Sequence, residues 1–313
     1  MAPDEADPLP PPAPVPVPFP RTTRQLMDAL DALGLSPAKR HGQCFLTDVN
    51  AVDAIVRDAG VEEGDAVIEV GTGTGLLTHA LCEAGASVDT FDLDARVQAA
   101  AKGLREWPDR VRFHVGDALE GKHALSRDLV AAIAAARAAV GSGRVRFVSN
   151  LPYNAGTSIV LGILALDDPP DTLTVMLQLE VAQKFVASVS DEDYGVPSVM
   201  RAVHADGRIL RRFPPAVFWP RPSVNSALLF LRPRRPSDLL PGEDRTFGPF
   251  VTAVFTRRRK VITTAVRAAR PDLSAEAALA ACAKIGLDPR TRPEDVSPIA
   301  LRDLARATAP IVS

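Results

Sequence analysis

The sequence is poor in cysteine, in net charge and in long apolar runs. Its three cysteines, Cys44, Cys82 and Cys282, stand far apart and lack the spacing of metal ligands. They leave no metal site to expect and read as reduced thiols of a cytosol-like compartment. No apolar stretch approaches the roughly 20 residues that span a bilayer, so no membrane association is expected. The formal charge of −2 announces no polyanionic partner. The distribution of that charge can still do so. No internal repeat is visible.

What is there suits a globular chain. Its 313 residues are 46% hydrophobic and 24% charged, enough for one α/β domain and a smaller second one. The first twenty residues differ. Prolines at 3, 8, 10, 11, 12, 14, 16, 18 and 20 remove donors and fix φ, so 1–20 is expected to be a disordered tail. It lacks the basic start and continuous apolar core of a signal peptide. From Arg21 the pattern becomes regular. Helices are expected over Thr23–Leu33, ended by Gly34 and Pro37, and over Asn50–Ala59. Strand candidates follow at Ala66–Val70, Ser87–Leu93, Arg110–Val115, Val145–Ser149, Thr172–Leu177, Val199–Ala205 and Ala227–Leu231. Their alternation with helical stretches argues for a doubly wound parallel sheet with an antiparallel edge. Arg232–Asp244 reads as a linker. Beyond it Phe247–Ala269, Ser274–Ile285 and Ser297–Ala307 look like three helices. The chain thus divides into 1–20, an α/β unit 21–235 and a helical unit 236–313.

The stretch Val67-Ile68-Glu69-Val70-Gly71-Thr72-Gly73-Thr74-Gly75 is a strand entering a glycine-rich turn, with a helix from Leu76. Gly71, Gly73 and Gly75 let backbone approach a ligand where a Cβ would clash, at the strand end that nucleotide-like ligands favour. Glu69, two before the first glycine, is a methyltransferase habit rather than a dinucleotide one. It either contacts a cationic cofactor end or orders the loop. Asp92 closes the second strand about twenty residues on, where an acid suits a ribose diol. Asp94 is the alternative, or caps the next helix. Asp117 closes the third strand and suits an adenine amine. Each acid alone fits a cap equally well; three at successive strand ends favour a ligand.

The fourth strand ends in Asn150-Leu151-Pro152-Tyr153. An amine on an aromatic ring is a poor nucleophile because its lone pair is delocalised. Two acceptors aimed at its hydrogens return electron density to nitrogen as charge develops there. The Asn150 side-chain oxygen and the Leu151 carbonyl can do this, Pro152 shaping the turn. Tyr153 offers a face for the base. No strong general base is needed, since the proton can leave the cationic product. The bland alternative is an Asn cap with Tyr in the core.

At these residues a resemblance enters. From about Lys39 to Leu304 the chain resembles the ribosomal RNA adenine dimethyltransferases of the small-subunit dimethyladenosine transferase group. The matching motifs are His41–Leu46, Glu69–Gly75, Gly116–Leu119, Asn150–Tyr153, Gln178–Ala182, Tyr194-Gly195, Phe218–Ser226 and Phe255–Lys260. The resemblance implies a Rossmann-like methyltransferase sheet with a small C-terminal helical domain. It also implies S-adenosyl-L-methionine as cofactor and a small-subunit ribosomal RNA precursor as partner, with a cytoplasmic monomer expected. It implies cofactor contacts from Gln43, Phe45, Leu46, Glu69, Gly71, Gly73, Gly75, Asp92, Leu93, Asp117, Ala118 and Asn150. Phe218 would stack on the target adenine opposite Tyr153. Four positions depart from the family pattern. Cys44 replaces Asn or His, Asp92 replaces Glu, Asn225 replaces Asp, and Trp219 adds bulk beside Phe218.

Basic residues concentrate after position 200, and Arg221, Arg257, Arg258, Arg259 and Lys260 are the expected RNA contacts. The run 257–260 is placed on a helix, either facing RNA or solvent, or pairing with acids of the first half. Three rivals remain. A large-subunit methyltransferase of the antibiotic-resistance type shares fold and chemistry. The Asn-Leu-Pro-Tyr form and the Arg-Arg-Arg-Lys run argue against it. A glutamine or DNA amine methyltransferase is opposed by Leu151 in place of a first proline and by the Phe218 segment. A non-catalytic assembly or transcription factor is opposed by the intact Asn150–Tyr153 motif.

Overall fold

A computed structural model describes residues 19–20, 22–32, 44–122 and 124–309. The expected tail up to residue 18, the end of the first helix at Leu33–Pro37 and the proposed contact Gln43 lie outside them. Among the described residues, eleven strands and twelve α-helices follow in chain order. The first half holds α1 Thr23–Ala32, β1 Phe45–Leu46, α2 Val49–Ala59, β2 Ala66–Val70, α3 Leu76–Glu83, β3 Ser87–Asp92 and α4 Ala95–Gly103. Then come β4 Val111–Val115, β5 Leu119–Glu120, β6 Ala124–Leu125, α5 Arg127–Ala139, β7 Val145–Asn150, α6 Gly156–Leu164 and β8 Thr172–Gln178. The rest is α7 Leu179–Val186, α8 Val196–His204, β9 Ala205–Phe213, β10 Phe218–Trp219, β11 Ser226–Pro233, α9 Asp244–Phe255, α10 Ile262–Ala269, α11 Ala275–Lys284 and α12 Pro298–Ala307.

Seven strands form one sheet in the order β4-β3-β2-β7-β8-β11-β9. Strands β4 to β8 in that order are parallel, and β11 runs antiparallel to both of its neighbours. The parallel strands are buried on both faces, so they read as near-continuous apolar runs. Alternate residues still divide between two cores. Ala66, Ile68 and Val70 of β2 face α5, α6 and α7, while Val67 faces α2 and α3. Helix starts follow local chemistry. Asp48 accepts from Ala51 N at 2.9 Å to begin α2, and Ser126, Ser274 and Ser297 cap α5, α11 and α12. A third core joins α8 to α9, α10, α11 and α12.

Three sequence-based expectations are corrected. Val199–Ala205 is not a strand but most of α8, and the strand begins at Ala205. Val196, Val199, Met200 and Val203 repeat at helical spacing, and Pro197 sits in the first turn. Phe247–Ala269 is two helices, because Thr256–Val261 forms a turn. Phe19 does not belong to a disordered tail. It is buried and stacks on His79 with ring centroids 4.4 Å apart.

Candidate active site

The strand order reverses between β2 and β7, and a crevice opens there at the C-terminal ends of the parallel strands. A cleft of 740 Å³ fills it, walled by the loops after β2, β3, β4 and β7 together with β1. Small-molecule sites commonly have this size. Of the residues expected to serve it, Phe45, Leu46, Gly71, Gly73, Asp92, Leu93, Asp117, Ala118, Asn150, Leu151, Pro152 and Tyr153 line the cleft.

The floor is the glycine turn. Gly71 has φ +92° and Gly73 φ +53°. A Cβ on Gly71 would lie 3.0 Å from the Asn150 carbonyl oxygen, and one on Gly73 3.3 Å from the Phe45 ring. The turn is thus pressed between the catalytic turn and β1, and only a residue without a side chain leaves the floor open. Asp92 fixes the turn from the next strand. Its Oδ2 accepts from Gly73 N and its Oδ1 from Asp94 N, both at 3.0 Å. Burial raises the Asp92 pKa, Asp94 adding to the rise while these amide bonds oppose it. Asp94 itself caps α4 by accepting from Arg96 N at 2.9 Å. Asp117 accepts from Leu119 N at 2.9 Å and remains exposed at the rim.

Glu69 and Gly75 fall outside the wall. Gly75 opens α3 and faces Ala101 and Trp107, because the turn has already left the cleft at that point. Glu69 is fully buried behind the loop, where Thr78 Oγ1 donates to its Oε2 at 2.5 Å. Beside it Thr72 and Thr90 hydroxyls bond at 2.7 Å. Glu69 therefore ties β2 to α3. Burial pushes its pKa up to about 8, with the Thr78 bond opposing. Since this value lies above the ordinary carboxylate range, the stability contributed by the neutral form is complete in acid and lost as pH rises through 8. Glu69→Gln, which keeps an acceptor for Thr78, is expected to melt higher than wild type at about pH 9 and nearly level with it at about pH 5. Thermal melts across that range check this; a gap independent of pH would refute the neutral carboxyl.

The catalytic turn closes the far wall. Asn150 Nδ2 donates to the Cys44 carbonyl at 3.3 Å, which orients the amide and leaves Oδ1 as its free acceptor. Leu151 N donates to Met176 O at 3.3 Å. No donor among the described residues bonds the Leu151 carbonyl. Pro152 O starts α6 by accepting from Ala155 N and Gly156 N. Tyr153 OH and Ser226 Oγ lie 2.9 Å apart, holding the half-buried ring.

Phe218 departs from expectation. It is 2% exposed, absent from the cleft wall, and packs with Leu46 and Val217 in the core under α2 and α3. Strand alternation explains this: β10 sends Phe218 inward and Trp219 the other way, over Phe45. At two of the positions that depart from the family pattern the backbone makes the bond. Cys44 serves Asn150 through its backbone, and Asn225 supplies its carbonyl to Leu179 N. Sequence reasoning missed Thr72, Thr78 and Thr90, since buried threonines carry no pattern. It also missed Lys122, which the β5–β6 hairpin brings to the wall.

The expected RNA residues separate. Arg221, Arg257, Arg259 and Lys260 are exposed and form no ion pair among the described residues. Arg258 does not join them. Its guanidinium pairs with Glu294 at 3.0 Å and donates to the Glu192 carbonyl, so it pins the turn. The run lies on that turn rather than on a helix. Arg211, Arg234 and Arg235 are likewise taken up by Asp58, Asp206, Asp238, Asp168 and Asp171.

An open glycine floor and acids at successive strand ends fit a nucleoside cofactor, and two acceptors above them fit an amine. This is the frame of an α/β methyltransferase. The family described as ribosomal RNA adenine dimethylase matches residues 35–292, and the chain belongs to that family. Its methyl donor is S-adenosylmethionine. The ribosomal RNA small subunit methyltransferase A of Mesorhizobium japonicum is 38% identical over 277 residues, 87% of this chain and 93% of that one. The protein so named from Phenylobacterium zucineum is 37% identical over 297 residues, 92% and 96% of the two chains. A dimethyladenosine transferase from Plasmodium falciparum shares the fold, with TM-score 0.64 at 20% identity over 83% of this chain and 95% of that one. So does the 23S rRNA methyltransferase ErmE, with TM-score 0.57 at 22% identity over 84% and 98%. No helix among the described residues is long and apolar enough to cross a membrane.

Proposed function

We propose that the protein dimethylates N6 of adenine in small-subunit ribosomal RNA during ribosome assembly, acting as a cytoplasmic monomer. The observation that carries the chemistry is the oriented Asn150 amide beside the unbonded Leu151 carbonyl. The small-subunit target is supported by relatives of that name matching nearly the whole chain. When bound, S-adenosylmethionine supplies an electrophilic methyl group. Gly71 and Gly73 give its nucleoside end room, Asp92 accepts from its ribose, and Asp117 and Ala118 border its adenine. Asn150 Oδ1 and Leu151 O accept the amine hydrogens of the target base, and Tyr153 carries its face. Mapping N6-methylated adenines in ribosomal RNA from cells with and without the protein tests the assignment. Loss from the small-subunit RNA is expected. Loss from the large-subunit RNA, or no loss, would overturn it.

Asp92→Ala removes a half-buried charged acceptor that also holds Gly73 N. It is expected to weaken S-adenosylmethionine binding by ~1.5–3 kcal/mol, read by calorimetry. Unchanged affinity would remove Asp92 from the site.

The helical unit 236–313 and Arg221 bind the RNA in this reading. Replacing Arg257, Arg259 and Lys260 together with Ala is expected to flatten the salt dependence of RNA binding, by a slope of roughly 0.7–0.9 for each phosphate left without its cation. Cofactor affinity stays as it was. Arg258→Ala instead loosens the turn and lowers the melting temperature. An identical salt slope in the triple variant would mean the turn only meets solvent.

A further inference from the structure

Trp219 has no part in the cleft wall, yet it lies against a residue that does. The two-residue strand β10 pairs antiparallel with β1, setting Trp219 opposite Phe45 and Phe218 opposite Leu46. Thr47 N extends the pairing by donating to Val217 O at 2.9 Å. The Trp219 and Phe45 rings are offset-stacked, 6.5 Å apart at 25°. Phe45 is 6% exposed, and its ring edge faces the open position on Gly73. Leu26 of α1 and Val97 and Ala100 of α4 complete this small core.

The strap carrying Phe45 reaches the catalytic turn as well, through the Cys44 carbonyl that orients Asn150. The segment carrying Trp219 does the same at its other end, where Ser226 holds Tyr153. The stacking of Trp219 on Phe45 therefore links two pieces of chain that each touch the catalytic turn, one of which also lines the cleft. A ring pressed on Phe45 from outside holds it on the glycine floor; without it, Phe45 can swing away and the cofactor must order it on binding.

We infer that Trp219 is a positioning residue for the cofactor, acting through Phe45. The inference rests on the reading of the cleft as the S-adenosylmethionine site. Trp219→Ala is expected to weaken S-adenosylmethionine binding about tenfold, the scale of removing one aromatic pair. The single-turnover rate at saturating cofactor should fall by less than about threefold, since no acceptor moves. Trp219→Phe, which restores a stacked ring, should return affinity to within about threefold of wild type. The chain has two tryptophans, so in a Trp107→Phe background the emission of Trp219 should shift when S-adenosylmethionine is added.

Calorimetry on the wild type separates the two levels: a wild type that binds no S-adenosylmethionine fails the reading of the cleft, not the role of Trp219. With the wild type binding, unchanged affinity in Trp219→Ala overturns the inference. So does a loss confined to the saturated rate. Should Trp219→Ala not fold, the emission experiment decides, and a Trp219 signal indifferent to the cofactor overturns the inference.

Discussion

Asn150→Ala is expected to slow single-turnover methyl transfer by about 10²–10³-fold at saturating RNA and cofactor, the scale of deleting one preorganised polar partner. The amine hydrogens become stronger donors as positive charge develops on nitrogen, so an acceptor held ready for them acts mostly in the transition state. Holding it ready is what the Cys44 carbonyl does. A carbonyl can only accept, so the amide nitrogen must face it and Oδ1 must face away. The second acceptor, Leu151 O, belongs to the backbone and survives the substitution, which is why the loss is partial. Affinity for the cofactor should fall modestly, since the bond also ties β1 to the catalytic turn. Tyr153→Ala behaves differently: it removes the face for the base and frees Ser226, so RNA positioning suffers along with rate. Rapid-quench measurement of one turnover decides. A variant that keeps the wild-type rate would reduce Asn150 to a turn cap and end the proposed mechanism.

The parts of this site that were legible in the sequence are those where chemistry leaves few residue choices. A floor that a Cβ would fill demands glycine, and Gly71 and Gly73 announce it. The acids at the ends of β3 and β4 and the Asn-Leu-Pro-Tyr turn after β7 recur at one level of the sheet, so alternation of strands and helices was enough to bring them together. The misreadings arose where a local pattern fits two structures. Val199–Ala205 is β-branched and apolar enough for a strand, but the third core rewards its helical spacing. The turn at Thr256–Val261 interrupts the helical stretch without a glycine or proline of its own to mark it. Phe218 and Trp219 are adjacent aromatics of which one must point inward, and sequence does not say which. The surplus of arginines after residue 200 overstated the free basic surface, because their partners Asp58, Asp168, Asp171 and Glu294 lie far away in the chain. Ion pairs of that kind need the fold before they can be counted.

Gly71→Ala is expected to lower kcat/KM by about 10³-fold or more through strain and misplacement together. The backbone there has φ +92°, where an L-residue is strained by roughly 1–2 kcal/mol before any contact is considered. The new Cβ would then stand 3.0 Å from the Asn150 carbonyl oxygen. That neighbour is main chain in the last residue of β7, so it cannot rotate away as a side chain would. Relief must come from the glycine loop lifting or the catalytic turn retreating. The first narrows the cofactor floor; the second moves Leu151 O, and displacement of a reacting group by about 1 Å alone costs on the order of 10²-fold. Gly73→Ala provides the control within the same loop. Its Cβ would meet the edge of the Phe45 ring at 3.3 Å, and a ring can shift by tenths of an ångström, so its loss should be nearer tenfold and fall on cofactor affinity. Calorimetry and single-turnover rates on both variants, with melting temperatures to show that each is folded, test this. If Gly71→Ala binds S-adenosylmethionine and turns over no worse than Gly73→Ala, the close approach of the two loops is not what shapes the site.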